Sequence, residues 1–362
     1  MKITKEQLYK RQTTLAEIGA YGQERLEEAE ILIIGCGGLG STAAIYLAAS
    51  GIGAIHLVDF DVVDVSNLHR QVFYKPSDIG RPKAQVLAEY IRSISPFVEV
   101  TYSTEALNKG NAIDLIDQFA IALDCTDSLP VKYLINDVCV ITDTILVYGS
   151  LYKYDGYVAT FGMTRDNKRT ANLRDAFPEM GSQKMPNCSE VGTLNTIVGI
   201  IGMMQANEVI KIVTRYGEPL MNKILIYNSM DNSQYIMKLS SEPCYKKAEK
   251  GCILKTFKKE TYDDPNCEVP DENHVLTLEE AMKNKDLEII SVTETEETDL
   301  PFEVSQRIPF SEFKPDEVNW KKDRQYLLVC MKGITSYSAV KIIRERYPDL
   351  NVFSLQNGIE FL

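Results

Sequence analysis

The sequence predicts an α/β protein with two domains, and three observations predict it. Strand and helix patterns alternate through the first 150 residues, which is typical of a parallel sheet covered by helices on both faces. The segment GCGGLG at residues 35–40 directly follows the first apolar strand, at the sheet edge where such folds bind ligands. The chain, at 362 residues, exceeds the length of one compact core.

The elements follow one another in a regular order. Five segments read as parallel strands, ILIIG, AIHLVDFD, VEVTY, IALDC and TILVYGS, with helical patterns between them. YVATFG, KILIYN and QYIMKL read as antiparallel strands, and TLNTIVGIIGMMQANEVIKIV reads as one long buried helix. Residues 31–58 contain no Lys, Arg, Asp or Glu and are long enough to cross a bilayer. Because six glycines interrupt them, we interpret them as a buried α/β core.

These patterns divide the chain into three parts. Residues 1–241 form the first domain, whose sheet mixes parallel and antiparallel strands. Residues 242–273 are rich in charges, prolines and turn residues and predict a linker. Periodicity resumes in residues 274–362, where TLEEAMKNKDLEIISV and YLLVCMKGITSYSAVKIIRERYPDLNVFSL predict a small α/β domain.

Composition argues against several classes of function. The net charge of −12 disfavours a sequence-independent grip on nucleic acid, which needs clustered Lys and Arg. The N-terminal segment MKITKEQLYKRQ has no features of a secretory signal, and we expect no membrane contact. The eight cysteines contain no CxxC pair, so we expect reduced thiols in a cytoplasmic protein.

The glycine loop alone leaves the ligand open. Gly35, Gly37 and Gly40 fit GxGxxG, and Asp59 follows about one βαβ unit later, so the pattern matches an NAD site. An NAD site has no use for extra cations and a second acid near the phosphates. The same predicted sheet edge carries both, in a set made up of Asp61, Asn67, Arg70, Gln71, Lys83 and Asp127. Chemistry on a triphosphate needs this inventory, because Arg and Lys neutralise charge while an Asp holds Mg²⁺.

The combined motifs resemble the ThiF/HesA/MoeB family, bacterial relatives of ubiquitin-activating enzymes. GCGGLGS, DFDVVDVSNLHRQ, GRPKA and LDCTDS occur in the order and spacing of that family, and KRQ and QANEVIK also match. The resemblance covers residues 5–241. It implies a Rossmann-like ATP-binding domain that adenylates the C-terminal Gly-Gly carboxylate of a small ubiquitin-like sulfur carrier, with ATP and Mg²⁺ as cofactors.

The resemblance also implies roles for single residues at the glycine loop. Gly38 lines the nucleotide loop, Asp59 holds the ribose and Asp127 holds the metal. Taken alone, these residues have plainer explanations, since Asp127 could cap a helix and Lys83 or Arg70 could be a solvated surface charge. These explanations do not account for the arrangement of all these residues along one predicted sheet edge.

Four basic or amide residues complete the implied site. Asn67, Arg70 and Lys83 contact the phosphates in the family pattern. Arg11, in the early KRQ motif, would reach into the partner subunit's site, because the family forms homodimers. We therefore expect a homodimer.

The chain departs from the family at a structural zinc site. Many relatives carry two CxxC pairs. In this sequence Asn172 and Asp175 occupy the positions of the first pair. Of the second pair only Cys244 is present, because Cys252 does not have the spacing of a CxxC pair. Structural zinc needs four Cys or His ligands, so we expect no zinc. Cys188 stands where some relatives have a cysteine active in sulfur transfer, and a purely structural role for it stays equally open.

Residues 277–362 resemble a rhodanese (sulfurtransferase) domain through LLVCMKGITSYSAVKII and NVFSLQNGIEFL. A thiolate in a loop of backbone N–H groups at a helix start can carry a persulfide, which makes Cys330 the candidate sulfur carrier. Thr335 stands where an Arg is common, and the first strand lacks the usual Asp-x-Arg. We therefore expect poor activity with thiosulfate and acceptance of persulfide from a protein donor such as a cysteine desulfurase.

The sequence thus favours an adenylyltransferase of a sulfur carrier fused to a diverged sulfurtransferase domain, in a thiamine- or molybdopterin-type pathway. Two alternatives stay open. An NAD-dependent oxidoreductase would bind nicotinamide and need neither Lys83 nor Asp127. A version whose rhodanese-like domain is only a docking scaffold would keep adenylation and survive the loss of Cys330.

Overall fold

The computed structural model describes residues 3–165, 168–178, 192–239, 250–262, 272–284, 286–293, 300, 302–310, 312–331, 333–356 and 358–359. The chain divides into two units, Met1–Asp263 and Asp264–Leu362. Each unit has its own sheet and its own buried apolar core.

The elements of the first unit alternate as the sequence predicts. In chain order they are α1 (Lys5–Thr13), α2 (Gly19–Glu28), β1 (Glu30–Ile34), α3 (Gly38–Ala49), β2 (Ala54–Val58), α4 (Lys83–Ile94), β3 (Glu99–Ser103), α5 (Ala112–Ile116), β4 (Ile121–Asp124), α6 (Leu129–Thr142), β5 (Ile145–Tyr152), β6 (Asp155–Phe161), β7 (Thr164–Arg165), β8 (Lys168–Arg169), α7 (Leu173–Ala176), α8 (Asn195–Thr214), β9 (Lys223–Asn228), β10 (Gln234–Lys238) and α9 (Lys250–Lys259).

The main sheet of this unit has eight strands in the order β10-β9-β6-β5-β4-β1-β2-β3. The five strands β3, β2, β1, β4 and β5 are parallel, and β6, β9 and β10 continue the sheet antiparallel. Residues 31–58 form β1, α3 and β2, and most of them are buried. An apolar run without alternation is typical of a central parallel strand that is buried on both faces. The predicted mixed sheet and charge-free core are confirmed.

Helix α8 packs along α3, and two of its buried polar side chains are bonded to the sheet. A Cβ at Gly202 would lie 2.6 Å from the Leu39 carbonyl oxygen, so glycine permits this close crossing. Gln205 Nε2 donates to the Asp124 carbonyl oxygen at 2.8 Å, and Glu208 accepts from the Thr160 hydroxyl at 2.7 Å. Among the described helices, α8 is long and apolar enough to cross a membrane by length and composition alone. Its bonds to the sheet are those of a core helix, as predicted.

The segment predicted as a linker contains helix α9. Ile253 and Phe257, four residues apart, are buried along one face of it. The Lys109 ammonium donates to the Glu260 carbonyl oxygen at 2.8 Å, which joins the end of α9 to the loop before α5. Sequence reasoning overlooked this helix because four lysines surround its two buried side chains. The boundaries at 241 and 274 stay predictions, since residues 240–249 and 263–271 lie outside the described residues.

The second unit is a smaller α/β layer structure. Its elements are β11 (Val275–Leu276), α10 (Leu278–Lys283), β12 (Leu287–Ser291), β13 (Gln306–Arg307), β14 (Gln325–Val329), α11 (Ile334–Arg346) and β15 (Asn351–Leu355). The sheet order is β11-β15-β14-β12-β13, and all pairings are parallel. β14 is therefore central, and the loop after it carries Cys330 to the carboxyl edge of the sheet.

Candidate active site

The first unit gathers its candidate residues at the carboxyl ends of three neighbouring strands. Ile34 at the end of β1 pairs with Val58 of β2 and with Asp124 of β4. The loops after these strands therefore share one edge. Because β2 and β3 lie on one side of β1 while β4 and β5 lie on the other, the strand order reverses there. Open α/β sheets form their ligand crevice at such a reversal.

The glycine loop fits tightly into this edge. Gly35 has φ +93, and a Cβ there would lie 2.8 Å from the Cys125 carbonyl oxygen. A Cβ on Gly40 would lie 1.8 Å from the Gly35 carbonyl oxygen. Both positions therefore require glycine.

The loop then opens onto the N-terminus of α3. Gly37 is the N-cap and provides no side-chain cap bond, and Gly38 begins the helix. Gly38 also lies against the α8 residue Val198, whose Cγ1 would be 2.2 Å from an added Cβ. Helix N-terminal N–H groups without a side-chain cap are a ready anion site, because the helix dipole favours negative charge there. The predicted nucleotide loop thus has the geometry for phosphate.

Asp59, the candidate ribose ligand, anchors the loop from the end of β2. Its Oδ2 accepts from the Cys36 N–H at 2.6 Å, and its Oδ1 accepts from the Asp61 N–H at 2.8 Å. Burial raises the pKa of Asp59 to about 6, although Lys83 lowers it. The carboxylate therefore stands beside the glycine loop with incomplete charge compensation.

Lys83 is a buried cation at the same edge. Its side chain is 5% exposed, and its Nζ contacts Asp61 Oδ2 at 2.6 Å. The Lys83 N–H also donates to the Asp61 carbonyl oxygen at 2.9 Å, so the start of α4 is bound to the loop after β2. Burial lowers the pKa of Lys83, but the carboxylates of Asp59, Asp61 and Asp127 outweigh it, and the pKa is raised. The ammonium is therefore charged at neutral pH beside these three acids.

Asn67, Arg70 and Gln71 lie on a short 3₁₀ segment and the turn that follows it. Gln71 Nε2 donates to Asn67 Oδ1 at 2.8 Å, and Arg70 Nη1 donates to the Ser66 carbonyl oxygen at 3.0 Å. Gln71 is 3% exposed, and its Oε1 has no hydrogen-bond partner among the described residues. A buried acceptor without a partner is costly, so this oxygen favours a ligand that donates a hydrogen bond. The Nε2 atom of the same amide would lie 3.5 Å from a Cβ on Gly37, which places the side chain beside the glycine loop.

Asp127 extends from the end of β4 on a loop with a rigid base. Asp127 is exposed. Asp124 accepts from the Thr126 N–H and hydroxyl at 3.0 and 2.8 Å. Lys132 Nζ contacts the two Asp124 carboxylate oxygens at 3.2 and 3.1 Å and donates to the Gly149 carbonyl oxygen at 2.7 Å. This buried pair fixes the turn that presents Asp127. A single exposed carboxylate fits Mg²⁺, which takes oxygen ligands and keeps several waters.

Arg11, the residue predicted to act in a partner subunit's site, is not among the residues that make these contacts. Arg11 is exposed in the last turn of α1, whose position is fixed by buried Tyr9 and by the Gln12 amide, which donates to the Ser50 carbonyl oxygen at 3.0 Å. Its action on a partner subunit stays a prediction. Cys188 lies outside the described residues.

Asn172 and Asp175, which occupy the positions of the first predicted zinc pair, cap helix α7. The Asn172 side chain accepts from the Arg174 N–H at 2.9 Å, and Asp175 accepts from the Asn172 N–H at 2.8 Å, which caps α7 reciprocally. Arg174 then reaches buried Asp137 at 2.6 Å, and the Tyr262 hydroxyl donates to the same carboxylate. These polar bonds join α6, α7 and the chain after α9. Cys244 lies outside the described residues, and the absence of zinc stays a prediction.

In the second unit, Cys330 occupies the loop between β14 and α11. It is 3% exposed, and its Sγ accepts from the Ser336 N–H at 3.2 Å. Gly333, the N-cap of α11, has φ +80, which turns the loop back toward the sulfur. The predicted strand, cysteine loop and helix are confirmed, and the helix start faces the thiol. Lys332 lies outside the described residues.

Sequence reasoning missed three residues that shape these sites. Lys132 was visible as a lone cation in the apolar helix LPVKYLINDVCVIT. Ser336 and Ser354 gave no signal of their own, because their proximity to Cys330 depends on where α11 begins and on the pairing of β14 with β15.

Comparison with known proteins gives a consistent result for the first unit, and the match to one relative extends over the second unit as well. The family model described as the ThiF family matches residues 9–251. The chain is 32% identical over 360 residues to the probable adenylyltransferase/sulfurtransferase MoeZ of Mycobacterium tuberculosis H37Rv, covering 97% of this chain and 91% of MoeZ. It is 36% identical over 237 residues to the sulfur carrier protein adenylyltransferase of Thermus thermophilus, covering 64% of this chain and 88% of that protein.

A solved structure shows the same fold. E. coli MccB with MccA-N7isoASN superposes with a TM-score of 0.60 at 20% identity, covering 68% of this chain and 75% of MccB. At this identity the likeness concerns the fold alone.

Proposed function

Since the chain belongs to the ThiF family, we propose that it adenylates the C-terminal Gly-Gly carboxylate of a ubiquitin-like sulfur carrier with ATP and then transfers sulfur to it. The observation that carries the proposal is Lys83, a buried ammonium bonded to Asp61 beside the glycine loop. A dinucleotide site does not need this cation, whereas a triphosphate does. The names of MoeZ and of the Thermus relative support both half-reactions.

In the first half-reaction the carrier carboxylate attacks the α-phosphorus of ATP in line, and pyrophosphate leaves. Lys83 and Arg70 neutralise charge on the phosphates, and Asp59 accepts the ribose hydroxyls. Mg²⁺ held by Asp127 would supply further positive charge at the departing pyrophosphate. No nucleophilic side chain is needed, because positioning and electrostatics drive the step.

In the second half-reaction a persulfide on Cys330 is the sulfur donor. Its terminal sulfur attacks the acyl adenylate, the C–O bond to AMP breaks, and an acyl disulfide forms. A second thiolate then attacks the Cys330 sulfur of that disulfide, which releases the carrier thiocarboxylate and leaves Cys330 in a mixed disulfide. A thiol reductant such as a dithiol protein then reduces the mixed disulfide and frees the Cys330 thiolate, which is reloaded by persulfide from a protein donor such as a cysteine desulfurase. We propose a cytoplasmic homodimer that serves a thiamine- or molybdopterin-type pathway.

Pyrophosphate–ATP exchange tests the proposal. Exchange with a panel of ubiquitin-like carriers that end in Gly-Gly should require Mg²⁺ and one or more of those carriers. The same carriers without the last two glycines serve as the matched control and should give no exchange. Tight NAD binding, together with no exchange for any carrier, would overturn the proposal in favour of the oxidoreductase.

A further inference from the structure

We propose that Ser336 and Ser354 form a hydroxyl pair that stabilises the anionic sulfur of Cys330, an inference that rests on the sulfur-transfer half of the proposed function. The Ser336 hydroxyl lies 3.2 Å from Cys330 Sγ, and the Ser354 hydroxyl lies 2.8 Å from that of Ser336. Both hydroxyls also reach the Gly333 carbonyl oxygen, at 3.1 and 3.2 Å. The three side chains thus form a continuous chain of contacts that ends on the sulfur.

Secondary structure brings the two serines to the thiol from different elements. Ser336 lies in the first turn of α11, so its backbone N–H has no partner within the helix and donates to Sγ. Ser354 lies on β15, where it pairs with Leu328 of β14, two residues before Cys330. The helix thus supplies the first hydroxyl, and the neighbouring strand supplies the second behind it.

The two hydroxyls together can serve both protonation states of the sulfur. When the sulfur is a thiol, its S–H donates to Ser336, and Ser336 donates to the Gly333 carbonyl oxygen. When the sulfur is an anion, the Ser336 hydroxyl turns to donate to it, and the Ser354 hydroxyl is shared between Ser336 Oγ and the Gly333 carbonyl oxygen, which lie 2.8 and 3.2 Å from it. The Gly333 oxygen also accepts from the Tyr337 N–H at 3.2 Å, so both its lone pairs stay occupied in either state.

Burial makes this exchange of donors effective. Ser336 is 0% exposed, Ser354 is 1% exposed and Cys330 is 3% exposed. Hydrogen bonds to an ionised group are about twice as strong as neutral ones, and low local dielectric strengthens them further. Removing the Ser336 hydroxyl takes away a direct donor to the anion. Removing Ser354 only weakens the ability of Ser336 to turn, so its effect should be smaller.

The pair acts in the loading of Cys330. The Cys330 thiolate attacks the terminal sulfur of a donor persulfide R–S–SH and forms a new S–S bond. The donor S–S bond breaks, R–S⁻ leaves, and the proton stays on the outer sulfur, so that Cys330–S⁻ and R–S–SH give Cys330–S–SH and R–S⁻. Stabilising the anion raises the fraction of Cys330 that can attack at neutral pH.

The test measures alkylation of Cys330 by iodoacetamide in the full chain against pH, with the Cys330 peptide followed by mass spectrometry. Ser336→Ala should move the pH midpoint upward and slow alkylation at pH 7 about tenfold, the scale of one hydrogen bond to an anion. Ser354→Ala should move it in the same direction by less. Ser336→Thr keeps the hydroxyl and should restore most of the rate.

Ser291→Ala is the matched control, because Ser291 is a serine of the same sheet that is 1% exposed, and its hydroxyl contacts that of Thr293 at 3.0 Å. An unchanged midpoint in Ser336→Ala, or an equal shift in Ser291→Ala, would overturn the proposal. Alkylation needs neither carrier nor ATP. A shifted midpoint without any carrier activation would therefore uphold the hydroxyl pair while the proposed function failed.

Discussion

The two sheets of this chain put their candidate sites in the same place and equip them with different chemistry. In each unit the loop after a central parallel strand, β1 or β14, leads into a helix N-terminus. Three charged residues lie beside the first loop, where the Lys83 ammonium interacts with the carboxylates of Asp59 and Asp61. Beside the second, the described contacts of Cys330 Sγ are an N–H and a hydroxyl.

This difference shows what the shared architecture leaves to the side chains. A helix N-terminus favours any anion, so it cannot by itself select between a nucleotide and a sulfur anion. ATP carries several negative charges and releases pyrophosphate, which calls for fixed cations. A thiolate or persulfide carries one diffuse charge, for which neutral donors suffice. We therefore expect the two half-reactions to be separable by mutation.

The largest expected effect is from Cys330→Ala. The variant should abolish thiocarboxylate formation from a protein persulfide, because the sulfur acceptor is gone, and it should leave pyrophosphate–ATP exchange unchanged. Mass spectrometry of the carrier measures the product. Cys252→Ala, a change to a half-buried cysteine on α9, is the control and should behave like the wild type. Normal thiocarboxylate in Cys330→Ala would establish the docking-scaffold alternative.

Asp127→Ala should impair the adenylation half-reaction at the first site and spare the sulfur chemistry of the second. It removes the candidate metal ligand where charge develops, so exchange should fall by roughly a hundredfold or more. Persulfide loading of Cys330 should not change. Asp117→Ala, which alters an exposed carboxylate just before β4, at the opposite end of that strand, is the matched control. Exchange at wild-type rate in Asp127→Ala would show that the first site does not work through this acid.

A third experiment tests whether the first site needs Arg11 from the partner subunit. Arg11→Ala and Asp127→Ala should each be inactive, but mixed homodimers that exchange subunits should recover about a quarter of wild-type exchange, since half the dimers then hold one intact site. Native mass spectrometry confirms the subunit exchange. If dimers exchange and no activity returns, Arg11 does not act across the interface.

The sequence predicted the elements of both sites better than their supporting contacts. Asp59, Asp61 and Asp127 could be placed at one edge because the carboxyl ends of parallel strands meet there. The Lys132–Asp124 pair could not be predicted, because it also needs the Gly149 carbonyl oxygen, which β5 brings beside β4. Helix α9 was missed because only Ile253 and Phe257 mark its buried face. The local sequence pattern thus predicts where the strands end. The bonds that hold those ends in place depend on the pairing between strands, which the pattern does not show.

The smallest expected effect concerns the charge balance at Asp59. Its pKa is about 6 in the folded protein against 3.8 ordinarily. Between these values the unfolded chain is ionised while the folded chain keeps the proton. Stability of the wild type therefore falls as pH rises through this window and levels off above about pH 6. Asp59→Asn removes this dependence, so from pH 5 to 7.5 the wild type should lose about 1 kcal/mol relative to the variant.

Urea unfolding of the full chain at the two pH values measures that change, with Asp117→Asn as the control for an exposed carboxylate. The free energy of unfolding of Asp59→Asn is expected to be lower than that of the wild type at pH 5, because the amide cannot accept from both the Cys36 and Asp61 N–H groups. The informative quantity is how that difference narrows as the pH rises. A difference that stays constant would mean that Lys83 already compensates Asp59 fully. The first site would then resemble the second in holding no uncompensated charge before its substrate binds.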